Sequence, residues 1–152
     1  MRQIQQLVVA LLLVTGFQSL CAEQLDSALL GNWTLDVSRS NFGPDGIPSS
    51  GVVRWTEHGW VLAMIFPSGY VYADAVVTDR GCTLIGVPVD YTCTIDLVTP
   101  LHVRFILKQG PNIRRVGDIE LLDKNTTRTV HRVTPASGSP YTETTIWNRD
   151  AE

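Results

Sequence analysis

Charge is scarce in this chain. Of 152 residues only 18% are Asp, Glu, Lys or Arg, and 12 basic residues stand against 15 acidic ones. The net charge of −3, with no basic cluster, excludes nucleic acid as a partner, because a phosphate backbone calls for a concentrated positive surface. No apolar run approaches the roughly 20 residues that cross a bilayer, so no stable membrane anchor is expected. Signatures of chemistry are missing as well. His58, His102 and His131 lie far apart, with no His-x-His or His-x₃-His spacing, and there is no Gly-x-Ser-x-Gly elbow, Walker loop or dinucleotide-type glycine pattern. The expectation is therefore no catalytic residue, no metal and no cofactor. His102 and His131, on strand faces shared with Arg104, Lys108 or threonines, read as solvated, and Arg114-Arg115 reads as a solvated strand end.

Cysteine is also rare, with three in the chain. The first, Cys21, falls in a segment that reads as an export signal of residues 1–22. Arg2 supplies the positive start, Leu7 to Val14 the uncharged apolar stretch, and Leu20-Cys21-Ala22 a small residue at the cleavage position. Lipidation at Cys21 is disfavoured because the bulky Leu20 precedes it. Cleavage after Ala22 leaves a mature domain of residues 23–152, 130 residues long, secreted or periplasmic, with a net charge of −4. Only Cys82 and Cys93 then remain, and an oxidising compartment favours a disulfide between them. A bridge closing 12 residues would contribute about 3 kcal/mol by chain entropy.

What the chain has in quantity is apolar residues, 44%, together with 12 glycines and 8 prolines. That much apolar surface excludes a disordered chain. Helical periodicity is confined to one turn, Ser27-Ala28-Leu29-Leu30. Elsewhere the period is two. In Leu101 to Lys108, one face carries Leu101, Val103, Phe105 and Leu107 and the other His102, Arg104, Ile106 and Lys108, a half-buried strand. Strands are predicted at 32–37, 51–57, 60–66, 70–77, 101–108, 112–121, 126–133 and 141–149. One or two short ones fall between residues 80 and 100, where Gly81, Gly86, Pro88 and Pro100 interrupt the pattern. Turn formers separate them, as in Pro135-Ala136-Ser137-Gly138-Ser139-Pro140. So many strands with almost no helix to cover them must close or stack, since bare edges aggregate. The succession of simple hairpins predicts an all-β, antiparallel up-and-down barrel of about eight strands.

The first and last strands carry a resemblance. The run Gly31-x-Trp33-x-Leu35-Asp36-Val37-x-x-Ser40-x-Phe42-x-Pro44 resembles the opening of secreted bacterial lipocalin-like, calycin-type β-barrel proteins. Thr129-Val130-x-x-Val133, then Gly138-x-Pro140-Tyr141-Thr142 and Ile146-Trp147-Asn148-Arg149, is similar to their final hairpin. The resemblance spans nearly all of residues 30–150 and implies a barrel whose end is plugged by Trp33, with Arg149 lying across the indole. A stacked pair of this kind is worth about 1–2 kcal/mol when desolvated.

Function turns on the lining. Trp55, Met64, Phe66, Tyr70, Tyr72 and Phe105 are bulky and Ala63, Ala73 and Ala75 small. A barrel of this size is either filled by its own side chains or holds one small ligand. Large aromatics pointing inward would make a packed core, the default; small residues pointing inward would open a cavity. The leading expectation is a non-enzymatic exported barrel that binds a small apolar ligand among Trp55, Met64, Tyr72 and Phe105, with a tyrosine hydroxyl orienting it. The alternative is a protein-binding module such as a periplasmic protease inhibitor, whose arm Glu23-Gln24-Leu25-Asp26 would enter a protease cleft. A third, an enzyme in the barrel mouth, would centre on Asp74, which shares a strand face with Tyr70 and Tyr72.

Overall fold

The computed structural model describes residues 25–44, 46–76 and 82–151. The proposed export signal, its cleavage point and Cys21 lie outside the described residues. Ten antiparallel strands follow one another: β1 (Gly31–Asn41), β2 (Ser50–Thr56), β3 (Gly59–Phe66), β4 (Gly69–Val76), β5 (Cys82–Ile85), β6 (Tyr91–Thr99), β7 (His102–Gln109), β8 (Asn112–Asp123), β9 (Thr126–Val133) and β10 (Tyr141–Arg149). They form one sheet in the order β5-β4-β3-β2-β1-β10-β9-β8-β7-β6. Every strand thus pairs with its sequence neighbours except at one seam. There β5 and β6, the two ends of the sheet, approach each other without a ladder. The result is an up-and-down barrel, nearly closed.

The count is ten where about eight were expected, and the difference arises between residues 80 and 100. Pro88 and Pro100 do not break strands there. They bound one, because both fall outside the nine-residue β6, where a missing N–H costs the ladder nothing. Burial follows period two through β6, with Cys93 and Ile95 buried and Asp96 exposed. β1 is also longer than its apolar alternation suggested. It continues past Val37 through a bulge, between Asp36 and Asn41, in its pairing with β10. Side chains support the irregular stretch: Ser38 Oγ donates to Asp36 Oδ1 at 2.6 Å, Asn148 Nδ2 to Asp36 Oδ2 at 3.0 Å, and the Ile146 N–H to Ser40 Oγ at 2.9 Å. Those hydrogen bonds to Ser38 and Asn148 also hold the Asp36 carboxyl below its ordinary range.

One end of the barrel is shut. Residues 27–29 form a turn, with the Leu29 N–H donating to Asp26 O and the Leu30 N–H to Ser27 O. The turn lays Leu25 and Leu29 into the core beside Trp33 and Val103, and Trp33, Leu29 and Val103 are completely buried. The β1–β10 register sets Trp33 opposite Arg149, whose guanidinium carbon lies 4.1 Å from the indole centre. Arg149 donates to Leu30 O at 2.6 Å, to Ala28 O, and to Lys124 O at 2.8 Å, while Trp33 Nε1 donates to Leu29 O at 3.0 Å. Gly31 makes this packing feasible. Its φ of +114° disfavours a side chain, and a Cβ there would stand 3.1 Å from Arg149 Nη1.

Candidate functional site

Above the plug the interior is not filled. A cavity of about 220 Å³ opens among Val53, Trp55, Leu62, Met64, Ala73 and Phe105, and the loop residues Gly46 and Val87 mark its mouth at the end away from Trp33. Strand β4 explains the space. Its inward positions are Val71 and Ala73, which the register sets beside Met64 and Leu62 of β3. The bulky residues of β4 go the other way.

That alternation corrects the expected lining. Trp55, Met64 and Phe105 border the cavity, but Tyr72 does not. It is flanked by the inward Val71 and Ala73, pairs with the outward Ala63 and Ile85, and lies on the outer wall. Tyr70 shares that wall and is 61% exposed. No tyrosine hydroxyl of β4 therefore orients anything inside. Asp74 lies on the same outer face and is exposed, so it takes no part in the interior. The packed-core default fails for the same reason, since two of the six bulky residues are outside.

The opposite wall is polar. One inward row crosses five strands through Ile95, Phe105, Gly117, His131 and Glu143. Gly117 is what lets this row form. A Cβ at that position would meet Phe105 Cε1 at 2.0 Å, so the absence of a side chain lets the phenyl ring lean over β8 towards His131. The two rings meet edge to face, with centroids 5.5 Å apart. Trp60 packs on Phe105 from the other side at 6.3 Å. Neighbouring positions add Arg115, Thr129 and Thr145 to the lining.

Most of these polar groups satisfy one another. Arg115 Nη1 donates to Glu143 Oε1, whose second oxygen accepts the Gly43 N–H at 3.3 Å. Thr145 Oγ1 accepts Trp147 Nε1 at 3.0 Å and lies 3.3 Å from His131 Nε2. Two nitrogens of lining residues are themselves buried and stay without a hydrogen bond among the described residues: His131 Nδ1 and Trp60 Nε1. Removal from bulk water, and next the positive charge of Arg115, push the His131 pKa from 6.5 down to about 3, so the imidazole is neutral. His131 and Arg115 were expected in solvent. Their threonine- and arginine-rich neighbours suggested an outer face, but closure turns the His131 face inward. Thr145 and Trp60 were not singled out either. An isolated glycine within a strand, Gly117, was the available signal that something leans across it.

The outer wall of β7 to β9 carries a second polar group. Asp118 accepts from His102 Nε2 at 3.1 Å, Arg104 Nε at 2.7 Å and Arg132 Nη2 at 2.5 Å. Burial works to raise its pKa, but the hydrogen bonds from Arg104, Arg132 and His102 outweigh it and lower the value to about 2. The surface arrangement is an ion-pair hub across three strands. Among the described residues no group of His, Cys, Asp and Glu is placed to hold a metal ion.

Cys93 is buried and lines the cavity, while the side chain of Cys82 lies outside the described residues. Of the arm that was expected to enter a protease cleft, Leu25 packs in the core and the Asp26 N–H donates to Pro100 O at 2.9 Å. Glu23 and Gln24 lie outside the described residues. Comparison with known proteins finds no matching family model, no matching curated protein and no matching solved structure.

Proposed function

We propose that the chain is an exported lipocalin-like barrel, secreted or periplasmic, that carries one small, mainly apolar ligand inside. The observation that supports this reading is the cavity of about 220 Å³ in an interior otherwise closed by Trp33 and Arg149. A cavity of about 150 Å³ already accepts benzene, so the space suits a somewhat larger molecule. Burying about 250 Å² of its apolar surface gains roughly 6 kcal/mol before association costs, which corresponds to micromolar or weaker binding. Exchangeable binding of that strength suits a carrier. The tethering of Leu25 and Asp26 to the barrel favours this reading over a protease inhibitor, whose arm must leave the barrel to enter a cleft.

A disulfide between Cys82 on β5 and Cys93 on β6 belongs to the same proposal. It would bridge the seam between the two ends of the sheet, which has no ladder among the described residues, making covalent the closure that hydrogen bonds leave open. The carrier reading is tested by native mass spectrometry of protein purified from its own host, beside Ala73→Phe, which fills the cavity from β4. The expected result is a bound small molecule in the parent and none in Ala73→Phe. A parent that is always empty, and takes up no apolar probe, would end the proposal.

A further inference from the structure

We infer that the open end of the barrel docks, reversibly and mouth down, on a lipid surface of zero net charge. Among the described residues ten large hydrophobic side chains are exposed, and six of them stand at this end: Ile47, Ile65, Tyr70, Ile85, Val89 and Ile113. Val98, Leu101 and Leu122 belong to the closed end, so the exposure is concentrated where the cavity opens. Apolar side chains gathered in this way on an exterior mark a contact surface. Ile65 faces Tyr70 across the β3–β4 ladder, and the two line one shallow groove outside the rim with Tyr72 and Ile85. Val89 projects fully into solvent. The inference goes beyond the carrier reading. It concerns the rim, and an empty interior would leave it standing.

The loops among these residues suit a surface without charge. They span residues 42–49, 67–68, 86–90, 110–111 and 134–140 and hold no Lys, Arg, His or Glu. Their acidic residues are Asp45 and Asp90, and Asp90 accepts from Gln109 Nε2 at 2.8 Å. Just behind them, Arg114 is engaged with Gln109 Oε1 and Pro135 O. Turns at the other end carry Glu57, His58 and Lys124. Seven of the chain's eight prolines fall in the mouth loops, which removes backbone donors that lipid could not satisfy. Other N–H groups there bond internally: Ser49 to Ile65 O at 2.8 Å, Tyr91 to Pro88 O at 3.1 Å, Gly110 to Asp90 O at 3.2 Å and Thr134 to Arg114 O at 2.7 Å. A protein partner is held in register by a rim of hydrogen bonds, and these loops have largely used theirs. Separate apolar tips fit a fluid surface instead, with Tyr70 suited to the headgroup level. A second copy seated mouth to mouth would shut both cavities, whereas lipid joins the cavity to an apolar phase.

The test floats protein purified from its own host with phosphatidylcholine vesicles, and with vesicles that also contain phosphatidylglycerol. The expected result is partitioning that survives about 0.5 M salt and gains nothing from the anionic lipid. Ile47→Ser and Val89→Ser should each weaken it on the order of tenfold, while Leu122→Ser at the closed end and the cavity-filling Ala73→Phe leave it unchanged. Val89→Trp reads insertion directly. Trp33, Trp55, Trp60 and Trp147 are buried, so a blue shift of emission on adding vesicles reports the new indole at the rim, and binding should tighten. Urea midpoints confirm that the serine variants are folded, and Val89→Trp decides the matter if they are not. A parent that does not float overturns the inference and leaves the carrier reading standing. So does binding that both serine variants keep, which would place the contact elsewhere on the chain, and so does binding that needs phosphatidylglycerol or vanishes with salt. A parent that stays off vesicles but forms a dimer, split by the same serine substitutions in sedimentation velocity, assigns the rim to a second copy and overturns it too.

Discussion

Replacing Arg149 by alanine strips several interactions from the closed end of the barrel at once. The guanidinium stacks 4.1 Å from the centre of the completely buried Trp33 indole, a geometry worth about 1–2 kcal/mol when desolvated. It also donates to the carbonyls of Leu30, Ala28 and Lys124. The Lys124 bond is exposed, and water replaces it at little cost. The bonds to Ala28 and Leu30 are half-buried and hold the turn that seals the barrel, and charged donors of this kind contribute roughly 1 kcal/mol each after partial rehydration. The loss then comes to about 3–4 kcal/mol, a large share of the 5–15 kcal/mol that typically holds a domain together. With a urea dependence near 1.5 kcal/mol per molar, the unfolding midpoint falls by about 2 M. Tryptophan fluorescence in a urea titration reads this directly. Arg149→Lys should recover about half the loss, because it keeps a cation over the ring but not the fork that reaches separate carbonyls. Arg149→Met keeps the aliphatic stem without the charge and should resemble alanine more than lysine. If Arg149→Ala unfolds within about 0.5 M of the parent with the same slope, the stacked pair does not hold the plug and the account of the closed end is wrong.

Two further outcomes are expected. The unfolded chain takes up a proton at His131 near pH 6.5, whereas the folded protein resists until about pH 3. Stability should therefore fall with acid through that window by roughly 1.4 kcal/mol per pH unit. Asp118 adds to the loss between its ordinary 3.8 and about 2, where the carboxylate paired with Arg104, Arg132 and His102 is finally protonated. Thermal midpoints measured from pH 7 to pH 4 check the first part. His131→Phe should flatten the curve there, and an unchanged slope in that variant would assign the acid sensitivity elsewhere. For the proposed Cys82–Cys93 bridge, the intact mass under non-reducing conditions should be two hydrogens below the reduced mass. Reduction should then lower the urea midpoint, with about 3 kcal/mol as the ceiling for a 12-residue loop; a mass that does not change on reduction would show that no bridge forms.

The strands themselves were legible because period two is a local property. Leu101 to Lys108 announces which side chains share a face whatever the rest of the chain does, and Val103 and Phe105 are on the core side of β7 with Arg104 on the other. Trp33 and Arg149 stand at matching depths of the first and last strands, and an up-and-down closure must bring those strands together. The number of strands was harder to read. Prolines look the same inside a segment that cannot be a strand and at the ends of one that is.

Choosing the inner face needed the closed barrel. On β3 both faces are apolar, with Val61, Ala63 and Ile65 against Leu62, Met64 and Phe66, so alternation alone cannot say which one is inside. Pairing with β4 decides it, because Val71 and Ala73 then face the interior and both tyrosines leave it. That choice turns an expected core into a cavity. The polar wall has the same origin. Thr127, Thr129 and His131 look like a solvated face in isolation, and only the curvature of the sheet brings them opposite Trp60 and Phe105. Composition and periodicity operate over a few residues and determined the ribbon. Which side of the ribbon is the inside depends on how ten strands roll up together, and that roll-up is what puts His131 and Trp60 on the cavity lining.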